Sequence, residues 1–265
     1  MSSISPEINH SINSAAQLIK KSHCTIALTG AGISTPSGIP DFRSPGVGIW
    51  THIEPMEVAS LSAFRHEPEK FYKWFRPLAS LMFTAKPNPA HLALARLQSA
   101  GYVSTIITQN IDGLHRRAGA ENVLEVHGTL DTLTCTNCYH QVASSTILEE
   151  YIKNSALPLC QHCGSILKPD VILYEEQLPI QTWIKAEEAC RNCELMLVAG
   201  TSLEVMPSAK LPIRALDHGA HLIIINNSGT FMDVRADIVI RADVAEIIPQ
   251  IMNQVLNPSA NTSNV

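Results

Sequence analysis

The chain has 265 residues, 45% hydrophobic and 16% charged, a balance that suits a globular protein and excludes a disordered one. Against 24 Asp+Glu stand 19 Lys+Arg, leaving a formal charge of -5 with no basic cluster, which argues against nucleic acid and anionic lipid as partners. No stretch approaches the roughly 18 apolar residues of a membrane span, and Met1-Ser2-Ser3-Ile4-Ser5-Pro6 has no charged segment leading into an apolar one, so the expected location is the cytoplasm.

Ile8, Ile12, Ala15, Ala16 and Ile19 recur at helical spacing, and Cys24-Thr-Ile-Ala-Leu28 then reads as a buried strand running into Thr29-Gly-Ala-Gly32. With a helix expected behind it, this turn lets backbone N–H groups approach a pyrophosphate, which names Gly30, Ala31 and Gly32 as nucleotide contacts. A glycine turn without a ligand is the alternative. The third glycine falls at Gly38 and no acidic residue closes a second strand about 20 residues on, which argues against hydride-transferring dehydrogenases. In Gly38-Ile-Pro-Asp-Phe-Arg43, Arg43 suits a phosphate and Phe42 can screen a reacting sugar from water; a local Asp41–Arg43 surface pair is the alternative.

Residues 44–84 are rich in aromatics and read as helices able to cover a site. A helix around 91–99 leads to a strand at 103–108, and further strands are expected at 195–199 and 221–225. These strands end in Gln109-Asn-Ile-Asp112, Gly200-Thr-Ser202 and Asn226-Asn227. Strands alternating with helices predict an α/β protein with a Rossmann-like, doubly wound parallel sheet, and ligands of such sheets sit beyond the carboxyl ends of the strands. Asn110 or Asp112 can hold an amide there, and His127 can take a proton from a hydroxyl. A lone histidine is otherwise structural, which is the reading given to His115.

Cys135-Thr-Asn-Cys138 and Cys160-Gln-His-Cys163 supply two pairs at zinc-ligand spacing. Four thiolates close a tetrahedron with no open position, so a structural Zn2+ is expected in an insertion at 129–169. Cys190, Cys193 and Cys24 read as buried small hydrophobes.

Taken together, Gly30-Ala-Gly-Ile-Ser34, Gly38-Ile-Pro-Asp-Phe-Arg43, Thr108-Gln-Asn-Ile-Asp112, His127-Gly128, the two cysteine pairs and Gly200-Thr-Ser-Leu-Glu-Val205 occur in the order found in sirtuins. The chain resembles that family from about residue 10 to about residue 255. The resemblance implies NAD as co-substrate and removal of acyl groups from protein lysines, with nicotinamide released and the acyl group moved to ADP-ribose. In the family the acyl oxygen attacks the anomeric carbon of NAD, and a histidine then acts as base on the ribose hydroxyls. His127 matches that base. Asn110 and Asp112 match residues placing the ribose and the nicotinamide carboxamide, Ile111 lies between them, and Gln109 matches a ribose contact. Ala31, Thr35, Asp41, Phe42 and Arg43 resemble the phosphate and nicotinamide-ribose contacts; Gly200, Thr201, Ser202, Asn226 and Val244 resemble the adenosine end.

Two departures carry expectations of their own. Where sirtuins have an apolar strand ending in Phe-Gly-Glu, this chain has Val171-Ile-Leu-Tyr-Glu-Glu176. Ile172, Leu173, Tyr174 and Glu175 are the expected edge for an acylated peptide added as a β-strand, and Glu175 is expected to put a negative charge beside it that favours basic sequences. Sirtuins that remove acidic acyl groups use a Tyr and an Arg three residues later; Phe75 stands three after Tyr72, and Arg76 lies a further 100° or so around a helix. The resemblance thus implies acetyl or another neutral acyl group.

The expected organisation is a discontinuous NAD-binding unit of 7–43, 85–128 and 170–256, a helical insertion 44–84, a zinc module 129–169 and a disordered tail 257–265. Mono-ADP-ribosyltransfer to protein and a non-catalytic NAD-sensing module are the alternative functions. Oligomeric state is left open.

Overall fold

The structure is a computed structural model that describes residues 5–257 apart from 45, 47 and 52. The expected tail therefore lies outside the described residues except for Asn257, which closes the last helix with its N–H on Asn253 O at 2.8 Å.

Nine strands are present among the described residues: β1 (Thr25–Thr29), β2 (Thr105–Thr108), β3 (Val123–Glu125), β4 (Gly128–Cys135), β5 (Gln141–Ala143), β6 (Leu167–Val171), β7 (Leu195–Ala199), β8 (His221–Ile225) and β9 (Ile238–Ile240). Six form a sheet in the order β3-β2-β1-β7-β8-β9, every pair parallel. Strands β1 and β7 are buried along their whole length, as strands covered on both faces must be. Helices Pro6–Lys21, Pro89–Ser99 and Val244–Leu256 cover one face through Ile12, Ile19, Leu94, Leu97, Ile247 and Ile251. Helices Ile180–Asn192 and Leu211–Asp217 cover the other through Ala186, Cys190, Leu211 and Ala215. Local signals fix the helix starts: Ser5 accepts Ile8 N–H at 3.3 Å and Asp243 accepts Ala245 N–H at 2.7 Å.

The doubly wound parallel sheet is as expected, with two strands more in it. Three-residue β3 and β9 are too short to stand out as apolar runs. From β1 the chain winds outward to β2 and β3, then returns to build β7, β8 and β9 on the other side. The order reverses between β1 and β7, and the crevice at the carboxyl ends of those strands is where such sheets bind ligands.

The glycine turn is not followed by the expected helix. Two 3-10 turns, Ala31–Ile33 and Thr35–Ser37, occupy that stretch. Pro36 has no N–H to give, and Gly38 at φ 86° ends the second turn, so a helical ladder cannot propagate.

The segments inserted into this scaffold share one core. Helices Pro55–Val58, Leu61–His66 and Pro68–Thr84 lie in the first, and the cysteine-bearing segment holds the antiparallel sheet β5-β4-β6 with helix Ser144–Asn154. Phe64, Phe71, Tyr72 and Phe75 pack with Leu130, Leu133, Tyr151 and Leu167. The Tyr72 hydroxyl donates to Leu167 O, and the Tyr151 hydroxyl donates to Tyr72 O, which satisfies two phenols that burial would otherwise penalise.

Candidate functional site

At the switch point, backbone meets backbone. Gly32 N–H donates to Gly200 O at 2.8 Å, and a Cβ on Gly32 would lie 2.9 Å from that oxygen. A Cβ on Gly30 would meet Thr201 Cβ at 2.7 Å. The glycines at 30 and 32 are thus required first by the contact between the turns after β1 and β7.

A polar network sits directly beneath. Asn110, buried after β2, donates through Nδ2 to Gly30 O and to Ser34 Oγ, each at 3.0 Å. Ser34 donates to Asp112 Oδ2 at 2.6 Å, while Asp112 Oδ1 accepts Leu114 N–H at 2.9 Å. Burial raises the Asp112 carboxyl above its ordinary range; those two bonds and Arg117 oppose the rise. On the sheet side Thr29 Oγ1 donates to Thr108 Oγ1 and contacts His115 Nε2, both at 2.9 Å. His115 is buried against the network, away from the cavity, in line with its structural reading.

His127 follows β3 and faces the same space. Its Nδ1 lies 3.1 Å from Gln109 O; a carbonyl only accepts, so Nδ1 carries the proton and Nε2 keeps its lone pair. Ser208 Oγ, 3.5 Å from Nε2, sends its proton to Val205 O at 2.9 Å and leaves that lone pair free. Burial pulls His127 down to about 4, opposed by the Gln109 bond and assisted by Arg43.

These groups open into one cavity of about 760 Å³. Ala31, Gly32, Thr35, Asp41, Phe42, Arg43, Gln109, Asn110, Ile111, Asp112, His127, Gly200, Thr201, Ser202, Asn226 and Val244 all line it, as do Ile172, Leu173, Tyr174 and Glu175. Gly30 does not line it and contributes its carbonyl to Asn110 instead. Asp41 accepts the N–H groups of Arg43 (3.0 Å) and Ser44 (2.7 Å) and the Ser44 hydroxyl (2.5 Å), so it shapes the loop. The local Asp41–Arg43 ion pair is not what forms. Arg43 crosses to Glu204 (3.3 Å) and Tyr174 Oη (3.4 Å).

The expected peptide edge is partly occupied. Ile172 N–H donates to His127 O at 2.9 Å, Tyr174 N–H to Ala59 O at 2.9 Å, and Leu173 N–H to Glu176 Oε2 at 2.8 Å. Glu175 adopts φ 73°, the region that favours glycine, and its Oε2 accepts both the N–H (2.9 Å) and hydroxyl (2.7 Å) of Ser62. Its charge is directed at the helical insertion, which corrects the expectation of a free carboxylate beside the peptide.

A sequence model of the Sir2 family matches residues 30–207. NAD-dependent protein deacylase 2 of Archaeoglobus fulgidus is 42% identical over 245 residues, covering 92% of this chain and 96% of that protein. NAD-dependent protein deacetylase 1 of Pyrobaculum aerophilum is 40% identical, covering 92% and 94%. The chain belongs to the Sir2 family. Among solved structures, a Sir2 enzyme described for its mechanism and regulation superposes with a TM-score of 0.88 at 40% identity, covering 94% of this chain and 98% of that one. A Sir2 structure with p53 peptide and NAD+ gives 0.82 at 36% identity over 90% and 95%.

This Sir2 chain also brings its four cysteines together. The Sγ atoms of Cys135, Cys138, Cys160 and Cys163 lie within 4.8 Å of one another, with Cys135–Cys163 at 3.4 Å and Cys138–Cys160 at 3.7 Å. Zn–S bonds of about 2.3 Å in a tetrahedron set the sulfurs about 3.8 Å apart, so the donor set fits zinc. His162 stands outside the cluster. Sequence reasoning missed Trp50 and Trp74 in the Sir2 cleft: Phe42 stacks on Trp50 at 5.3 Å and Trp50 on Trp74 at 5.6 Å, making an aromatic wall from residues whose only advance signal was aromatic enrichment. It also missed Ser34, whose hydroxyl joins Asn110 to Asp112. Among the described residues, no helix is long and apolar enough to cross a membrane.

Proposed function

We propose that this chain is an NAD-dependent protein-lysine deacylase that cleaves NAD to nicotinamide and transfers a neutral acyl group from lysine to ADP-ribose. The observation that carries the reading is His127: a neutral imidazole with Nδ1–H committed to Gln109 O and Nε2 free, on the cavity shared by Asn110, Asp112 and the 172–175 edge. The acyl oxygen of a bound lysine attacks the anomeric carbon as its bond to nicotinamide breaks; His127 Nε2 then takes the proton of the ribose hydroxyl that attacks the acyl carbon, and one water hydrolyses the adduct to free the lysine amine and leave the acyl group on ADP-ribose. Asp112 and Asn110 hold the nicotinamide amide and ribose, Gln109 the ribose, Arg43 with Ala31 and Thr35 the phosphates, and Thr201, Ser202, Asn226 and Val244 the adenosine end. Phe42 and the tryptophans behind it exclude water from the reacting sugar.

Units 7–43, 85–128 and 170–256 serve NAD in this reading, 44–84 covers the site, and 129–169 is the zinc module. A zinc held by Cys135, Cys138, Cys160 and Cys163 supplies structure and no reactive position. Thiols unpaired among the described residues suit a reducing compartment, which supports a cytoplasmic location.

Tyr72 supports the neutral-acyl reading. It is 1% exposed and its hydroxyl is committed to Leu167 O, so it has no free donor for an acyl carboxylate. The test is mass spectrometry of purified protein with NAD and acetyl-, propionyl- or succinyl-lysine peptides. The expected products are nicotinamide, free lysine and acyl-ADP-ribose from the first two peptides. ADP-ribosylated protein without deacylation, or efficient desuccinylation, overturns the reading.

A further inference from the structure

Among the described residues, two pairs of histidines bring their rings close together. His91, which lies 3.5 Å from Ser34, and His115 are closed in the core. His140 and His162 are both exposed, on the cysteine-bearing module. Each of these two belongs to one of the cysteine turns. Two residues past Cys138, His140 gives its carbonyl to Cys135 N–H at 2.9 Å. His162 lies between Cys160 and Cys163, in a turn closed by Gly164 N–H on Cys160 O at 2.8 Å and by Cys160 N–H on Ser165 O at 2.7 Å. The backbone bonds that shape the two turns therefore also set where the two rings begin.

The ring centroids of His140 and His162 are 6.1 Å apart, with the planes tilted by 36°. With metal–nitrogen bonds of about 2.1 Å, two imidazoles on one ion place their centroids roughly 5 to 6.5 Å apart. Both rings line a cavity of about 370 Å³ that shares no residue with the large cleft. Gln161 adds an amide oxygen to its lining, and Val142, Ile147 and Leu167 contribute apolar surface. None of the four cysteines lines it, so an ion here is additional to the structural zinc. No carboxylate lines it either, and Mg2+ or Ca2+ calls for a cage of oxygens. A pair of imidazoles suits the borderline dications Ni2+, Cu2+ and Zn2+ instead.

We propose that His140 and His162 form a second metal site on the module, a two-imidazole clasp for a divalent transition-metal ion, with the Gln161 amide and water completing its coordination. An ion held there ties the first cysteine turn to the second from the solvent side, beside the link made by the four thiolates. The site stands apart from the NAD cleft and from the reaction read there.

Calorimetry with Ni2+ on the purified, zinc-loaded protein tests the proposal. A single Ni2+ per chain is expected to bind in the micromolar range while the zinc content stays constant, and Mg2+ is expected to give no binding. His140→Ala and His162→Ala are each expected to weaken Ni2+ by at least about tenfold, and the double variant to be no weaker than either alone, because one imidazole without the other cannot chelate. Zinc content and metal-free deacylation are expected to be unchanged in all three variants. With one equivalent of Cu2+, the electron paramagnetic resonance spectrum should show splitting from two imidazole nitrogens in the wild type and from one in each single variant. A single variant that binds Ni2+ as tightly as the wild type, zinc released as Ni2+ is added, or a sulfur-to-copper charge-transfer band overturns the proposal.

Discussion

The carboxylate of Glu175 takes both hydrogen-bond donors of Ser62, the backbone N–H and the side-chain hydroxyl, and so ties the peptide edge to the second residue of helix Leu61–His66. Ser62 holds the Glu175 carboxyl below its usual range, with Arg65 adding to the effect. A charge paired in this way exerts less pull on a peptide than an open one. Glu175→Gly is therefore expected to leave the ratio of kcat/KM between peptides with basic and acidic flanks unchanged. A basic preference that disappears in the variant would show that the carboxylate turns toward the peptide in solution.

Gly200 separates two reasons for a glycine. It has φ 63°, and a Cβ there would lie 2.3 Å from Ile33 N. Gly219 has φ 89° but no atom within 4 Å of its Cβ position. Gly219→Ala carries only the left-handed backbone cost, about 1 kcal/mol. Gly200→Ala adds the displacement of the β1 turn, so its loss of stability should exceed about 2 kcal/mol and NAD binding should fall with it. Denaturant melts of the two variants decide this; equal midpoints mean the turns are not packed as described.

Acid should destabilise the protein well above the carboxylate range. Burial pulls His91 to about 4, His115 to about 3 and His127 to about 4. The unfolded chain takes up protons on these rings near pH 6.5, whereas the fold does not, so each contributes stability that is full above about 6.5 and is lost as pH falls toward about 4, or about 3 for His115. The limiting slope is roughly 1.4 kcal/mol per pH unit for each ring. Asp112 and Glu125, whose carboxyls burial raises, bind protons earlier in the fold and offset part of the loss at the acid end. Tm is expected to fall steadily from pH 7 to pH 5; a flat profile would mean the rings are already charged in the native state.

How much of this was readable in advance depended on the range of each interaction. The turn after β1, the cysteine pairs and the apolar strands announce themselves within a few residues, and the doubly wound sheet follows from their alternation. The partner of Glu175 is 113 residues away and that of His91 is 57 residues away, so neither pairing leaves a local pattern. Trp50 and Trp74 read only as aromatic until the fold stacks one on the other. The glycines at 30 and 32 are legible as special from the turn itself, but a second reason for them, the close approach of Gly200 and Thr201, lies on another strand's turn and leaves no local pattern.

The cysteine site should govern the active cleft although no cysteine lines the cavity. Its four thiols close the end of the sheet β5-β4-β6, whose Leu133 and Leu167 share a core with Phe71, Tyr72 and Phe75 of helix Pro68–Thr84. Phe71 and Phe75 also line the cavity, so one helix spans both regions. Loss of the metal frees four thiolates that repel one another or protonate, and removes the link that ties residues 135–138 to residues 160–163. The six-stranded sheet has a separate core built from Ile12, Leu94, Leu197, Ile223 and Ile251. Chelation is therefore expected to raise hydrogen exchange across 129–169 and across 68–84 while the amides of β1, β7 and β8 stay protected, and to reduce deacylation by more than about tenfold as the peptide side of the cleft loosens. Restoring zinc should recover both. Uniform loss of protection over the whole chain would mean that the two cores unfold as one, and unchanged deacylation in the chelated protein would mean that the helix is held without the module.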